Sequence, residues 1–163
     1  GVSAFQIYFG SDEVTTAGDD LDVLVAMNPA ALITNLKDLL PGGLIIADSD
    51  AFTDKNLARA GYKSNPLGDG SLDGYRVIVI EITKRVIASV EPFGLSHKFA
   101  VRCKNMWTLG LVMWLFDRDR SITISNLEKK FASKPETDLH PSHKDRWVRP
   151  ALVVLTPRAP WTL

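Results

Sequence analysis

The chain reads as an α/β domain with a mainly parallel sheet flanked by helices. Over its first two thirds, short β-rich runs alternate with segments of helical period. The inner runs, Asp22–Met27 and Leu44–Ala47, are continuous apolar stretches of the kind buried on both faces of a parallel sheet. Clusters of proline, glycine and asparagine separate these segments.

Four strands are expected, over Ala4–Phe9, Asp22–Met27, Leu44–Ala47 and Arg76–Ile82. After the second, Asn28 is placed to cap a helix whose first position is Pro29, with Leu32, Leu36, Leu39 and Leu40 on one stripe. Pro41, Gly42 and Gly43 are expected to stop it. Thr53 caps the next short helix, with Leu57 and Ala58 facing inward and Gly61 as its left-handed stop. Asn65 to Gly74, NPLGDGSLDG, has the composition of an exposed loop. Thr83 is placed to cap a helix through Val90, ended by Pro92 and Gly94. Ser96 then caps one long helix reaching about Phe116, apolar nearly all round from Met106 onward. A last helix near Ile124–Ala132 carries Leu127 and Phe131 at i, i+4, with Pro135 beyond it.

With nineteen basic and nineteen acidic residues the chain has no net field to gather nucleic acid or anionic lipid, so neither is an expected partner. The apolar run Met106–Phe116 is far shorter than the roughly 20 residues that span a bilayer core. Gly1–Gly10 lacks the basic leader and cleavage site of a signal peptide. The single cysteine, Cys103, excludes an internal disulfide and fits a reducing, cytoplasmic setting.

Asp48 and Asp50 stand just past the end of an apolar strand, where open α/β sheets hold ligands. The plainer reading is that Asp48, Ser49 and Asp50 satisfy backbone donors in a strand-to-helix turn. Asn28 stands at a helix start whose N–H groups suit an anion, although capping alone explains an asparagine before proline. His97 reads as a surface histidine in the first turn of the long helix. His140 and His143 have no third ligand in sequence, so no metal site is expected. Cys103 lies between Arg102 and Lys104, yet on so apolar a helix it reads as a packed thiol. No G-x-S-x-G, H-E-x-x-H or phosphate-binding glycine motif is present, and no catalytic residue is assigned.

VSAFQIYFG, DVLVAMNPAAL, GGLIIADSDAF, GYKSNPLGDGSLDGYRV, FGLSHKFAVRCKNMWTLGLVMWLF and LEKKFASKP, in this order, resemble the gamma domain fused to the alpha subunit of bacterial 2-oxoglutarate:ferredoxin oxidoreductases. The resemblance runs from about Gly1 to Pro135. It implies a part of an enzyme that decarboxylates a 2-oxoacid on thiamine diphosphate with Mg2+, transfers the acyl group to coenzyme A and passes electrons through an iron–sulfur cluster to ferredoxin. The cofactor sites of that family lie in neighbouring domains, so none is expected in this chain. Its implied partners are the thiamine-binding domains and the beta subunit, and ferredoxin through the complex. Asn28, Asp48, Asp50 and Asn105 are then expected at the domain's cleft or subunit contact.

The family's domain opens with a strand and a G-x-G-G-x-G turn that would precede Gly1, so the fold is expected to lack its first glycine-rich strand–helix unit. Residues 1–135 form the expected domain. The tail, 136–163, is rich in proline and arginine, and from about Ser142 it matches nothing in the family, which suggests a foreign junction or a shifted frame.

Overall fold

The computed structural model describes residues 4–8 and 20–132. The chain divides into two compact units, Gly1–Glu81 and Ile82–Leu163.

Among the described residues the first unit is built on a three-stranded parallel sheet in the order β1 (Leu21–Ala26), β2 (Leu39–Asp48), β3 (Arg76–Ile80). Helix α1 (Pro29–Asn35) connects β1 to β2, and α2 (Asp54–Ala60) lies between β2 and β3. The two helices pack on each other. Leu24 pairs in register with Ile45 and Ile45 with Val77, and these residues share one core with Ala26, Ala47, Leu32 and Leu57. On the opposite face Ile46 and Asp48 of the central strand β2 are also buried, as a parallel strand in mid-sheet requires.

Local chemistry sets the helix ends as expected. Asn28 is extended and its Oδ1 accepts the Ala31 N–H at 2.8 Å, with Pro29 in the first turn. Thr53 Oγ1 accepts the Asn56 N–H at 3.4 Å, and Gly61 closes α2 at φ +89°, where a side chain would be strained. Ala58 is exposed rather than inward. A two-turn helix presents one row to the core, here Leu57, and the next residue points roughly 100° away.

Further expectations are corrected. Residues 4–8 form no strand, and Phe5 is 75% exposed. A β-prone run becomes a strand only where a ladder partner exists, and among the described residues it has none. Helix α1 stops at Asn35, tightens into a 3-10 turn over Leu36–Asp38, and Leu39 already belongs to β2 opposite Leu21. Leu39 gains its burial from the ladder rather than from a helical stripe, while Leu40 is exposed. Pro41, Gly42 and Gly43 therefore do not end a helix. They form an irregularity inside β2, where the register moves from Leu21↔Leu39 to Val23↔Leu44. This bulge is clasped by Gly42 N–H to Gly74 O at 3.0 Å and by Arg76 Nε to Gly42 O at 3.3 Å.

A further correction concerns Ile82, expected to end a strand. Strand β3 ends at Ile80, and Ile82 opens helix α3 (Ile82–Val90) of the second unit, so Thr83 is a helical residue and not the cap. Ile82, Val86 and Val90, spaced four apart, are all buried, and that stripe outweighs the β preference of isoleucine.

The second unit continues with α4 (His97–Arg102), α5 (Lys104–Leu115) and α6 (Ser121–Ala132). The single long helix expected from Ser96 is thus broken at Cys103. There the backbone N–H bonds to Ala100 O at 3.0 Å, and the thiol donates to Phe99 O at 3.7 Å, so the bond pattern shifts by one residue. Ser96 occupies the cap position without a side-chain cap bond. Helix α5 packs on α3 through Trp107 Nε1 to Ser89 Oγ at 3.3 Å and Lys104 Nζ to Thr83 Oγ1 at 3.2 Å. Helix α6 begins three residues earlier than expected, because the Asp119 carboxylate takes the Ser121 N–H at 2.9 Å.

Candidate functional site

Parallel strands in an open α/β sheet all deliver the residues after them to one edge, so that edge collects side chains from several segments. Ala26 pairs with Ala47 there, which brings Asn28 and the Asp48–Asp50 turn to the carboxyl ends of adjacent strands. Three of the four residues expected at a cleft or contact therefore belong to one edge of the sheet. Asn105 lies in the second unit, exposed near the start of α5.

Each of the three is engaged locally. The carboxamide oxygen of Asn28 holds a first-turn N–H, the donor a bound anion would otherwise use, and α1 is only seven residues long. Asp48 is fully buried and its carboxylate accepts the Asp50 N–H at 3.3 Å. Asp50 is half-buried in a 3-10 turn, Ser49–Ala51, that Asn56 Nδ2 ties to α2 through Ala51 O at 2.9 Å. This is the turn chemistry of the plainer reading, built around a carboxylate with no access to solvent.

Elsewhere, His97 is exposed at the first position of α4. Burial raises the pKa of the Cys103 thiol, which places it among packed and unreactive cysteines. His140 and His143 lie outside the described residues. Among the described residues no three His, Cys, Asp or Glu side chains come together as a metal site, and no helix is long and apolar enough to cross a membrane.

A concavity unforeseen from the sequence lies under the turn-rich loop before β3. It holds about 550 Å3, lined by Leu67, Gly70, Leu72, Asp73 and Tyr75 among others. The loop is internally bonded: Asn65 Oδ1 accepts the Leu67 N–H at 3.1 Å and Asp69 Oδ1 accepts the Ser71 N–H at 2.9 Å. A hydroxyl donated by Ser64, then Ser71, holds the Asp69 carboxyl below the usual carboxylate range. SLDG identifies the turn in sequence, but nothing local indicates that Tyr75 and Val77 floor a hollow.

The parallel sheet and its flanking helices define an α/β domain. The chain belongs to the pyruvate ferredoxin/flavodoxin oxidoreductase family, whose pattern matches residues 1–139. It is 46% identical over 136 residues to the 2-oxoglutarate oxidoreductase subunit KorA of Mycobacterium tuberculosis. The match covers 83% of this chain and 21% of that protein, so the chain spans about a fifth of the curated relative's length. No solved structure matches it. The family read from the ordered segments of the sequence is thereby borne out.

Proposed function

We propose that this chain is a supporting and subunit-contact domain of a cytoplasmic 2-oxoacid:ferredoxin oxidoreductase, and that alone it catalyses nothing. The observation that carries this reading is the family match over residues 1–139 joined to coverage of about a fifth of the relative. The reaction is the oxidative decarboxylation of 2-oxoglutarate or a related 2-oxoacid to an acyl-coenzyme A, with reduction of ferredoxin. Residues 1–135 act as the gamma-type domain, and 136–163 as an appended tail.

The chemistry of the residues present supports a non-catalytic role. An iron–sulfur cluster is held by several thiolates, whereas this chain has one cysteine, and that one is buried in a helical unit. The chain's donor set does not fit a cluster. Thiamine diphosphate and Mg2+ belong on this reading to neighbouring domains. Asn28, Asp48, Asp50 and Asn105 serve at the cleft or contact, Asp48 by fixing the Ser49–Ala51 turn through the Asp50 N–H.

The test is association. The full chain, mixed with a separately expressed polypeptide carrying the thiamine-binding domains and with the beta subunit, is expected to form a complex by light scattering. It is also expected to show no turnover of 2-oxoglutarate with an electron acceptor by itself. Absence of association, or turnover by the chain alone, overturns the proposal.

A further inference from the structure

The sheet of the first unit ends on one side at β3. Among the described residues β3 pairs only with β2, so the backbone groups along its outer side have no ladder. Nothing in its sequence guards that edge. RVIVI contains no proline, and its one charged residue, Arg76, stands at the start with Nε bonded to Gly42 O. The β1 edge differs, because Asp20 and Asp22 are exposed at its beginning. Val79 lies two residues after Val77, on the face that Val77 packs against the core, yet it is 49% exposed.

The same unit carries a segment with the complementary need. AFQIY, residues 4–8, is β-prone and forms no strand, with Phe5 75% and Ile7 49% exposed. Phe5 and Ile7 are two apart, so in an extended chain they share a face. We propose that residues 4–8 of one copy of this chain add as a strand to the outer edge of β3 in a second copy. The main chain supplies the ladder, and Phe5 and Ile7 lie beside Val77 and Val79 and cover them. The exchange is reciprocal, so two copies close into a two-fold dimer. The inference does not depend on the proposed oxidoreductase role.

The test is sedimentation of the full chain over a concentration series, with amide hydrogen exchange on the same samples. A monomer–dimer equilibrium is expected, and the Val77–Ile80 amides are expected to exchange more slowly as the dimer fills. Ile7→Pro removes one ladder donor from an exposed segment and is expected to weaken the dimer about tenfold. Val79→Lys places a charge on the β3 edge and is expected to weaken it in the same direction. A peptide of the sequence AFQIY, added in excess, is expected to return the chain to monomer while keeping the β3 amides protected. A monomer at every concentration, a dimer of unchanged affinity in Ile7→Pro and Val79→Lys, or β3 exchange that ignores concentration overturns the inference.

Discussion

The carbonyl oxygen of Leu40 lies 2.8 Å from the point where a β-carbon on Gly43 would stand, and the Leu39 side chain is equally close. Backbone cannot retreat there, because Gly42 on one side is bonded to Gly74 and Arg76. Gly43→Ala is therefore expected to destabilise the chain by about 1–3 kcal/mol, the usual cost of overpacking. Urea unfolding checks it, and an unchanged midpoint would show that the bulge can open.

Leu32 is fully buried and anchors α1 to the sheet core. Leu32→Ala is expected to cost about 2–5 kcal/mol, the range for a leucine deleted from a well-packed interior. The same unfolding curve, followed by far-ultraviolet dichroism, measures it.

Asn28→Ala removes one capping bond and is expected to cost about 1 kcal/mol. If Asn28 also contacts a neighbouring subunit, affinity in the association assay falls by more than the stability change accounts for. Equal affinity would leave Asn28 as a cap alone.

Asp69 should make the chain sensitive to acid. Its carboxyl is held low by Ser64 and Ser71, so its contribution is complete above the ordinary carboxylate range and disappears as pH falls through the folded value. Melting temperature is expected to drop more steeply below about pH 4 in the wild-type chain than in Asp69→Asn. Parallel pH profiles for the two would contradict this.

The Cys103 thiol, buried and raised in pKa by desolvation, is expected to react slowly with a disulfide reagent at neutral pH. Its reaction rate should rise with urea in step with unfolding. Fast labelling of the folded chain would show that the junction of α4 and α5 opens locally.

What was legible in the sequence is what neighbouring residues decide among themselves. Asn28, Thr53 and Gly61 act within one turn, and each stands where its chemistry suggested. The parallel α/β class followed from apolar runs that need burial on both faces. The structure departs from local pattern where distant partners decide. Leu39 was claimed by Leu21 across the sheet, Ile82 by a helical stripe with Val86 and Val90, and residues 4–8 found no ladder. The break at Cys103 was hidden because HKFAVRCKNMW carries no glycine or proline to mark it. Of the site residues, Asn28, Asp48 and Asp50 share a sheet edge as their strand-end positions implied. The hollow at Tyr75 depends on how a loop folds back over a strand, which no local pattern encodes.

The strands of the first unit pair in the order in which a ribosome makes them, β1 with β2 and β2 with β3. Each pairing can close as soon as its second member emerges, with no wait for a distant segment to return and insert between them. Short-range pairing of this kind speeds folding. Nascent chain ending shortly after Ile80 already contains every strand of this sheet found among the described residues.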